Sequence, residues 1–151
     1  MNILAIDPAT KAGWCSGPGI FGLWDLSTKR DQSSGIKLLK LKSELRKQHE
    51  LNNLELIVYE RPAGRNITGI MSQSKFVAII ESFAEENDIQ YKGYSPGEIK
   101  KFATGKGNCG KPAMIAAAQK AYGYEGDDDN EADAIHLWYL ATDEFVGNIF
   151  G

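Results

Sequence analysis

Two short apolar runs that each end in an acidic residue constrain this chain more than any other feature. The first, "NILAID", ends at Asp7, and the second, "LELIVYE", ends at Glu60. An apolar run of this kind is typical of a strand that is buried on both faces of a sheet. In α/β sheets the carboxyl ends of such strands form the edge where ligands bind, so the two acids are expected to share one rim. Each acid taken alone has a plainer interpretation, as a turn or capping residue.

The rest of the chain predicts a mixed α/β fold. "GWCSG" and "GIFGLWDLS" flank a "GPG" turn and predict a hairpin beside the first strand, which makes the first three strands antiparallel. Later segments predict a further strand, "IQYKGYS", and helices over about 33–50, 70–87, 95–103, 112–122 and 130–145. The expectation is a mixed sheet of about five strands packed with helices, within one domain over residues 1–151. The helix at 70–87 is more apolar than one core contact requires, which indicates a second buried surface such as a dimer contact.

Composition and termini narrow the class of protein. The sequence has no basic leader before its first apolar run and no run near the roughly 20 residues that span a bilayer, so a cytoplasmic protein without membrane contact is expected. Its two cysteines lack metal-ligand spacing and are interpreted as reduced thiols. The net charge of −3 argues weakly against a general nucleic-acid coat, although the lysines and arginines are locally clustered.

The segment "DDDNEADA" at 127–134 concentrates acidic residues just before the last helix. Asp129 and Asp133 are four residues apart and Asn130 and Asp133 three apart, so either pair projects from one helical face. Helix capping explains acids in the first turn but not Asp133, where the helix approaches the core. A hard divalent cation, Mg²⁺ or Mn²⁺, would turn the repulsion between these acids into ligation, and a solvated acidic cap is the alternative.

No nucleophilic constellation competes with metal chemistry in this sequence. The only two histidines are His49 and His136, and neither has an obvious nucleophile. His136 lies three residues after Asp133 and is interpreted as a hydrogen-bonded core or rim histidine, with a role in positioning water as the alternative.

Four motifs, taken in order and spacing, resemble those of a known family. "ILAIDPATKAGW", "LIVYERP", "SPGEIKKFATGKGNCGK" and "DDDNEADAIHLWYLA" are similar to the motifs of RuvC-type Holliday-junction resolvases, within the RNase H-like superfamily. The resemblance spans nearly the whole chain and implies an RNase H-like fold with helices on both faces of the sheet. The short length and the divergent first motif are more similar to the phage-encoded branch.

The resemblance implies a homodimer that resolves four-way and related branched DNA by paired nicks. The family holds two Mg²⁺ or Mn²⁺ ions with four acidic positions. Carried over by motif, these positions are Asp7, Glu60, Asp133 and Asn130. Asn130 lacks the negative charge of an acid, so Asp129 or Asp127 is expected to replace it, or the second ion is held more weakly.

The resemblance also implies roles for two of the lysines. Lys100 and Lys111 match two family lysines near the scissile phosphate, where ammonium groups neutralise developing charge. Lys101 and Lys106 are interpreted as contacts to the DNA backbone, because the loop glycines permit close approach of phosphate. Ordinary solvated surface lysines are the alternative.

Bacterial members of the family carry an aromatic wedge three residues after the catalytic glutamate, and here that position is Ala63. Arg61 and Arg65 remain to contact phosphates or stack on bases. Loss of the wedge predicts relaxed sequence specificity and activity on several branched DNAs.

Three other functions remain open at this point. One is a catalytically weak junction-binding protein in which Asn130 has impaired one metal position. Another is an RNase H-like nuclease that acts on a different nucleic acid. Half of a sugar-kinase or actin-type ATPase shares the opening strand and aspartate, but this chain lacks a second lobe and its nucleotide loops.

Overall fold

A five-stranded mixed sheet forms the centre of the protein in a computed structural model that describes residues 1–147. Its strands are β1 Ile3–Asp7, β2 Lys11–Gly17, β3 Ile20–Asp25, β4 Leu56–Glu60 and β5 Gln90–Tyr94. The spatial order is β3-β2-β1-β4-β5. β1 pairs antiparallel with β2 and β2 with β3, whereas β4 pairs parallel with both β1 and β5. The predicted mixed sheet with three antiparallel opening strands is confirmed.

β1 occupies the middle of the sheet because its side chains are apolar on both faces. Ile3 and Ala5 face one hydrophobic cluster, and Leu4 and Ile6 face another. All four are at most 2% exposed. This is the arrangement that a continuous apolar run predicts.

In the part of the chain that the structure describes, five helices cover the two faces of the sheet. They are α1 Ile36–Asn52, α2 Ile67–Glu86, α3 Pro96–Thr104, α4 Lys111–Tyr122 and α5 Asp129–Phe145. α1 and α2 pack on the face of Leu4 and Ile6, and α3, α4 and α5 pack on the face of Ile3 and Ala5. Within residues 1–147, no helix combines the length and the apolarity that crossing a membrane requires.

Side-chain capping sets the starts of α2 and α3, whereas α1 begins without it. α2 begins three residues before the predicted position, because the Asn66 side chain caps it by accepting a hydrogen bond from the backbone amide of Gly69. α1 begins at Ile36 rather than at Ser33, and Gly35 precedes it without a side-chain cap. α3 begins with a capping box between Ser95 and Glu98.

The apolar surface of α2 is only partly covered. Phe76, Ile80 and Phe83 are buried against the sheet, whereas Ile67 is 73% and Met71 58% exposed. The exposed pair lies in the first turns of the helix. A second buried surface on this helix, such as a dimer contact, stays a prediction.

Candidate metal centre

The first two acids of the centre stand at the ends of adjacent parallel strands. Asp7 is the last residue of β1, and Glu60 is the last residue of β4. Side chains alternate along a strand, so Asp7 continues the face of Ile3 and Ala5, and Glu60 continues the face of Leu56 and Val58. Both faces point towards α5. The parallel pairing of β1 with β4 therefore brings the two carboxyl groups to one rim, as the sequence predicts.

α5 supplies the third acid. Asp133 lies in the second turn of the helix between the buried residues Ala132 and Ala134. Further along, the Trp138 indole Nε1 donates a hydrogen bond to the backbone carbonyl of Ile3 at 3.1 Å and ties the helix to β1. Asp7, Glu60 and Asp133 each offer a carboxylate oxygen, and these oxygens all lie within 4.8 Å of one another. The three predicted acids are thus brought together from distant parts of the chain.

Burial and mutual repulsion raise the pKa of all three acids. The pKa of Asp7, which is 5% exposed, is raised well above its ordinary value, first by burial and then by the charges of Glu60 and Asp133. Burial and the charges of Glu60 and Asp129 raise the pKa of Asp133 to about 7. Burial also raises the pKa of Glu60, although a hydrogen bond from Asp7 and the charge of Lys100 oppose the shift. With no cation bound, the centre therefore retains protons near neutral pH.

The chemistry of this cluster fits a hard divalent cation. Its donors are all carboxylate oxygens, the ligands that Mg²⁺ and Mn²⁺ prefer. The Asp133 Oδ1 atom is buried and has no hydrogen-bond partner among the described residues. Leaving a buried carboxylate oxygen unpaired is costly unless something else binds it. A cation held between the three acids would satisfy this atom and remove their repulsion.

The other residues of the acidic segment have separate partners. Asp128 caps α5, and its side chain accepts a hydrogen bond from the Glu131 backbone amide at 2.9 Å. The Glu131 carboxylate accepts a hydrogen bond of 2.7 Å from the Tyr124 hydroxyl. Asn130 donates from its Nδ2 to the backbone carbonyl of Lys11 at 2.8 Å. Helix capping and tertiary contacts thus account for several of the residues crowded before Asp133.

The two predicted catalytic lysines flank the acids. Lys100 lies on α3, is partly buried, and lowers the pKa of both Glu60 and Asp133 through its charge. Lys111 begins α4, forms a salt bridge of 3.4 Å with Asp129, and also lowers the pKa of Asp133. Both ammonium groups therefore lie close enough to act on the same centre.

The remaining predicted DNA contacts are exposed and more dispersed. Lys101 and Lys106 are exposed on α3 and on the loop that follows it. Thr104 organises that loop, because its Oγ1 donates to the Lys100 backbone carbonyl at 2.9 Å and accepts from the Lys106 amide at 3.2 Å. Arg65 lines an open groove of about 340 Å³ together with residues 8–10 and the start of α2.

Arg61 lies on the other face of the sheet from Glu60. Its side chain runs across Gly93, where an added β-carbon would lie 2.5 Å from the Arg61 Cγ, and beside Tyr59. Adjacent residues of an extended chain point to opposite faces, so a position next to Glu60 directs Arg61 away from the three acids.

His136 is a core residue, which confirms its preferred interpretation. It is 1% exposed, and its Nε2 donates to the Met114 backbone carbonyl at 2.9 Å, which places the proton on that nitrogen. Burial lowers the pKa of the imidazole, so the ring is neutral at physiological pH.

Two residues that shape the centre were not identified from the sequence. Gly13 of β2 lies under the start of α5, where an added β-carbon would be 1.9 Å from the Asn130 carbonyl oxygen. A glycine inside a strand is a usable signal for such close backbone approach. Tyr124 carries no comparable signal, because its role depends on where the turn before α5 places its hydroxyl.

Comparisons with known proteins support the fold assignment. The sequence matches no protein-family model and no curated protein. The structure matches that of Thermus thermophilus RuvC with a TM-score of 0.74 at 14% identity, covering 98% of each chain. It also matches T. thermophilus RuvC in complex with Holliday junction substrate, with a TM-score of 0.71 at 16% identity, over 91% of this chain and 90% of the other. The chain therefore has the RNase H-like fold of RuvC, as the resemblance of its motifs implies.

Proposed function

We propose that this chain is a metal-dependent endodeoxyribonuclease that resolves four-way and related branched DNA junctions by paired nicks. The main support is the position of three acids at one edge of a sheet with the fold of RuvC. The carboxylate oxygens of Asp7, Glu60 and Asp133 lie there within 4.8 Å of one another. The similarity to a RuvC in complex with Holliday junction substrate supports branched DNA as the substrate class. The whole chain, residues 1–151, would act as one nuclease domain.

The acids of the rim would hold two Mg²⁺ or Mn²⁺ ions. When bound, such ions polarise the scissile phosphate and make water a better nucleophile. Asp7 and Glu60 lie on strands of the sheet, so their positions are fixed before any cation or DNA arrives. Lys100 lies beside them with a positive charge suited to a phosphoryl oxygen that gains negative charge during cleavage.

Exposed basic side chains around the rim would hold the DNA backbone. Lys101, Lys106 and Lys111 are exposed on α3, on the following loop and at the start of α4. Arg65 lines the groove that residues 8–10 form with the start of α2. Contacts of this kind orient a duplex without reading its bases, which agrees with relaxed sequence specificity and with Ala63 at the wedge position. Arg61 would contact DNA only on the opposite face of the sheet.

A homodimer would place two such centres on the two opposed strands of a junction. The exposed apolar side chains Ile67 and Met71 at the start of α2 would provide a surface for a second copy. Light scattering after size-exclusion chromatography tests this proposal, and a monomer at micromolar concentration with and without junction DNA would contradict it. The phage origin and the cytoplasmic location stay predictions.

Cleavage of labelled DNA tests the proposed enzyme directly. Four-way junction, fork, linear duplex and RNA–DNA hybrid are incubated with wild-type protein, Glu60→Gln and Glu50→Gln, with and without Mg²⁺. Glu50 is exposed on α1, so its substitution makes the same chemical change away from the rim. We expect Mg²⁺-dependent, symmetric nicks in the junction from the wild type and the Glu50→Gln variant, and none from Glu60→Gln.

Each alternative function has its own outcome in this experiment. Tight junction binding by the wild type without cleavage in Mg²⁺ or Mn²⁺ identifies a junction-binding protein. Preferred cleavage of the RNA–DNA hybrid identifies an RNase H-like nuclease with another substrate. Equal junction cleavage by the wild type and Glu60→Gln would show that the Glu60 carboxylate is not needed for cleavage.

A further inference from the structure

We propose that Asp129, and not Asn130, is the fourth acidic ligand of the metal centre, while Asn130 clamps α5 to β2. This assignment rests on the proposed metal-dependent function. It explains why an amide occupies the position at which the resemblance places an acid.

The clamp follows from the hydrogen bond that Asn130 makes. Its Nδ2 donates to the Lys11 backbone carbonyl at 2.8 Å. An ionised aspartate at this position accepts hydrogen bonds only, so it would place a carboxylate against a carbonyl oxygen. The backbone of Asn130 also rests on Gly13, which has no side chain to hold it away. An amide therefore suits this contact, and an ionised carboxylate does not.

The other acids of the segment are not available to the centre. Asp128 is engaged in capping α5, and Glu131 accepts the hydrogen bond of Tyr124. Asp127 is exposed, outside the helix. Asp129 is the remaining acid before Asp133.

The position of Asp129 suits ligation together with Asp133. It is the first residue of α5 and precedes Asp133 by four, so both side chains project from the same helical face. Its side chain is 31% exposed, and its charge contributes to the raised pKa of both Asp7 and Asp133. The unpartnered Oδ1 of Asp133 provides a second oxygen on that face.

Lys111 is the present partner of Asp129. The salt bridge is 3.4 Å long, and the lysine side chain is 79% exposed. Exposed ion pairs of this kind contribute little to stability, so a divalent cation can displace the ammonium group from the carboxylate. Ligation by Asp129 would then free Lys111 for a DNA phosphate, which couples filling of the centre to substrate contact.

Counting bound Mn²⁺ by electron paramagnetic resonance tests the assignment without any cleavage assay. The proteins are wild type, Asp129→Asn, Asp127→Asn and Asn130→Ala. Asp127→Asn removes the same charge from the same segment at an exposed residue and serves as the matched control. Thermal unfolding is recorded for each protein, to separate loss of ligation from loss of fold.

We expect Asp129→Asn to lose one ion or to weaken the weaker binding event at least tenfold, with little change in the unfolding temperature. Asp127→Asn should bind Mn²⁺ as the wild type does. Asn130→Ala should unfold at a lower temperature and keep the full number of ions.

Two results would overturn the assignment while leaving the proposed function intact. One is unchanged Mn²⁺ stoichiometry and affinity in Asp129→Asn. The other is loss of an ion in Asn130→Ala with its unfolding temperature unchanged. Failure of the wild type to bind any Mn²⁺ would instead overturn the proposed metal-dependent function, and the assignment with it.

Discussion

The backbone carbonyl of Asn130 rests directly on Gly13, so close that a β-carbon on this glycine would lie 1.9 Å from the carbonyl oxygen. Gly13 is also the residue of β2 that pairs with Asp7 in the sheet register. The missing side chain therefore sets how near α5, with its Asp133, can come to the end of β1. This contact is therefore one of those that set the separation between Asp7 and Asp133.

Gly13→Ala is expected to displace the start of α5. Overpacking of a close contact typically costs about 1–3 kcal/mol, and a clash with backbone rather than with a flexible side chain falls at the upper end. Urea unfolding should show this loss, and Mn²⁺ affinity should fall at least tenfold. Gly35→Ala is the control, because a β-carbon there meets nothing within 4 Å. Wild-type Mn²⁺ affinity in Gly13→Ala would contradict this prediction, because it would show that α5 can shift without weakening metal binding.

The metal-free protein is expected to lose stability as the pH rises from about 5 to about 7, between the ordinary pKa of an aspartate and the raised pKa of Asp133. The folded-state pKa of Asp133 is raised to about 7, and that of Asp7 is also raised, so the folded protein keeps protons that the unfolded chain has lost. The free energy of unfolding should then fall by up to about 1.4 kcal/mol per pH unit for each carboxyl group still protonated in the folded state. His136 has a lowered pKa and acts in the opposite direction, but only below its ordinary pKa of about 6.5.

Chemical unfolding in EDTA over this pH range measures the slope. Asp133→Asn should reduce it, and the same substitution at the exposed Asp143 should not. Mg²⁺ should abolish or reverse the slope, because a cation binds the ionised carboxylates more tightly as the pH rises. A wild-type slope that is flat in EDTA would contradict the raised pKa values.

Tyr124→Phe is expected to loosen the first turn of α5. Tyr124 is a buried residue, and its hydroxyl donates to the Glu131 carboxylate at 2.7 Å and accepts from the Asp128 amide at 3.1 Å. Removing it should cost about 1–3 kcal/mol, since it leaves partly buried polar groups unpaired. Mn²⁺ titration should also show weaker binding, because this turn carries Asp129.

Tyr91→Phe is the matched control for this variant. It removes a tyrosine to glutamate hydrogen bond of 3.0 Å, between Tyr91 and Glu85, on a different part of the surface. Mn²⁺ affinity should stay at the wild-type value. An equal loss of affinity in both variants would mean that general destabilisation, and not the turn before α5, is responsible.

Cleavage of a panel of four-way junctions with different core sequences is expected to vary only a few-fold. Ala63 is exposed and has no ring to insert between bases, and the basic residues around the rim are placed to contact phosphates. Initial rates on each junction, with Glu60→Gln as the background, measure the preference. Strong dependence on one tetranucleotide would show that another part of the chain reads the bases.

The sheet and the three acids could be predicted from the sequence because local sequence patterns indicate both. Apolar runs identify the buried strands, and period-two alternation sends Asp7 and Glu60 to one face. The same alternation, applied to Arg61, predicts its place on the opposite face. The partners within 127–131 were not predictable in this way, because Tyr124, Lys11 and Lys111 reach that segment only after the chain has folded.

The metal centre has a rigid part, formed by the central strand β1, and a more labile part, formed by the first turn of α5. β1 has a hydrogen-bonded strand on each side, so its amide protons can exchange only when the whole sheet opens. The first turn of α5 is held by side-chain contacts to Lys11 and Tyr124, which can separate while the sheet stays closed. Mild heating or low denaturant should thus inactivate the protein reversibly well before it unfolds, with the carboxylates of the strands still in place.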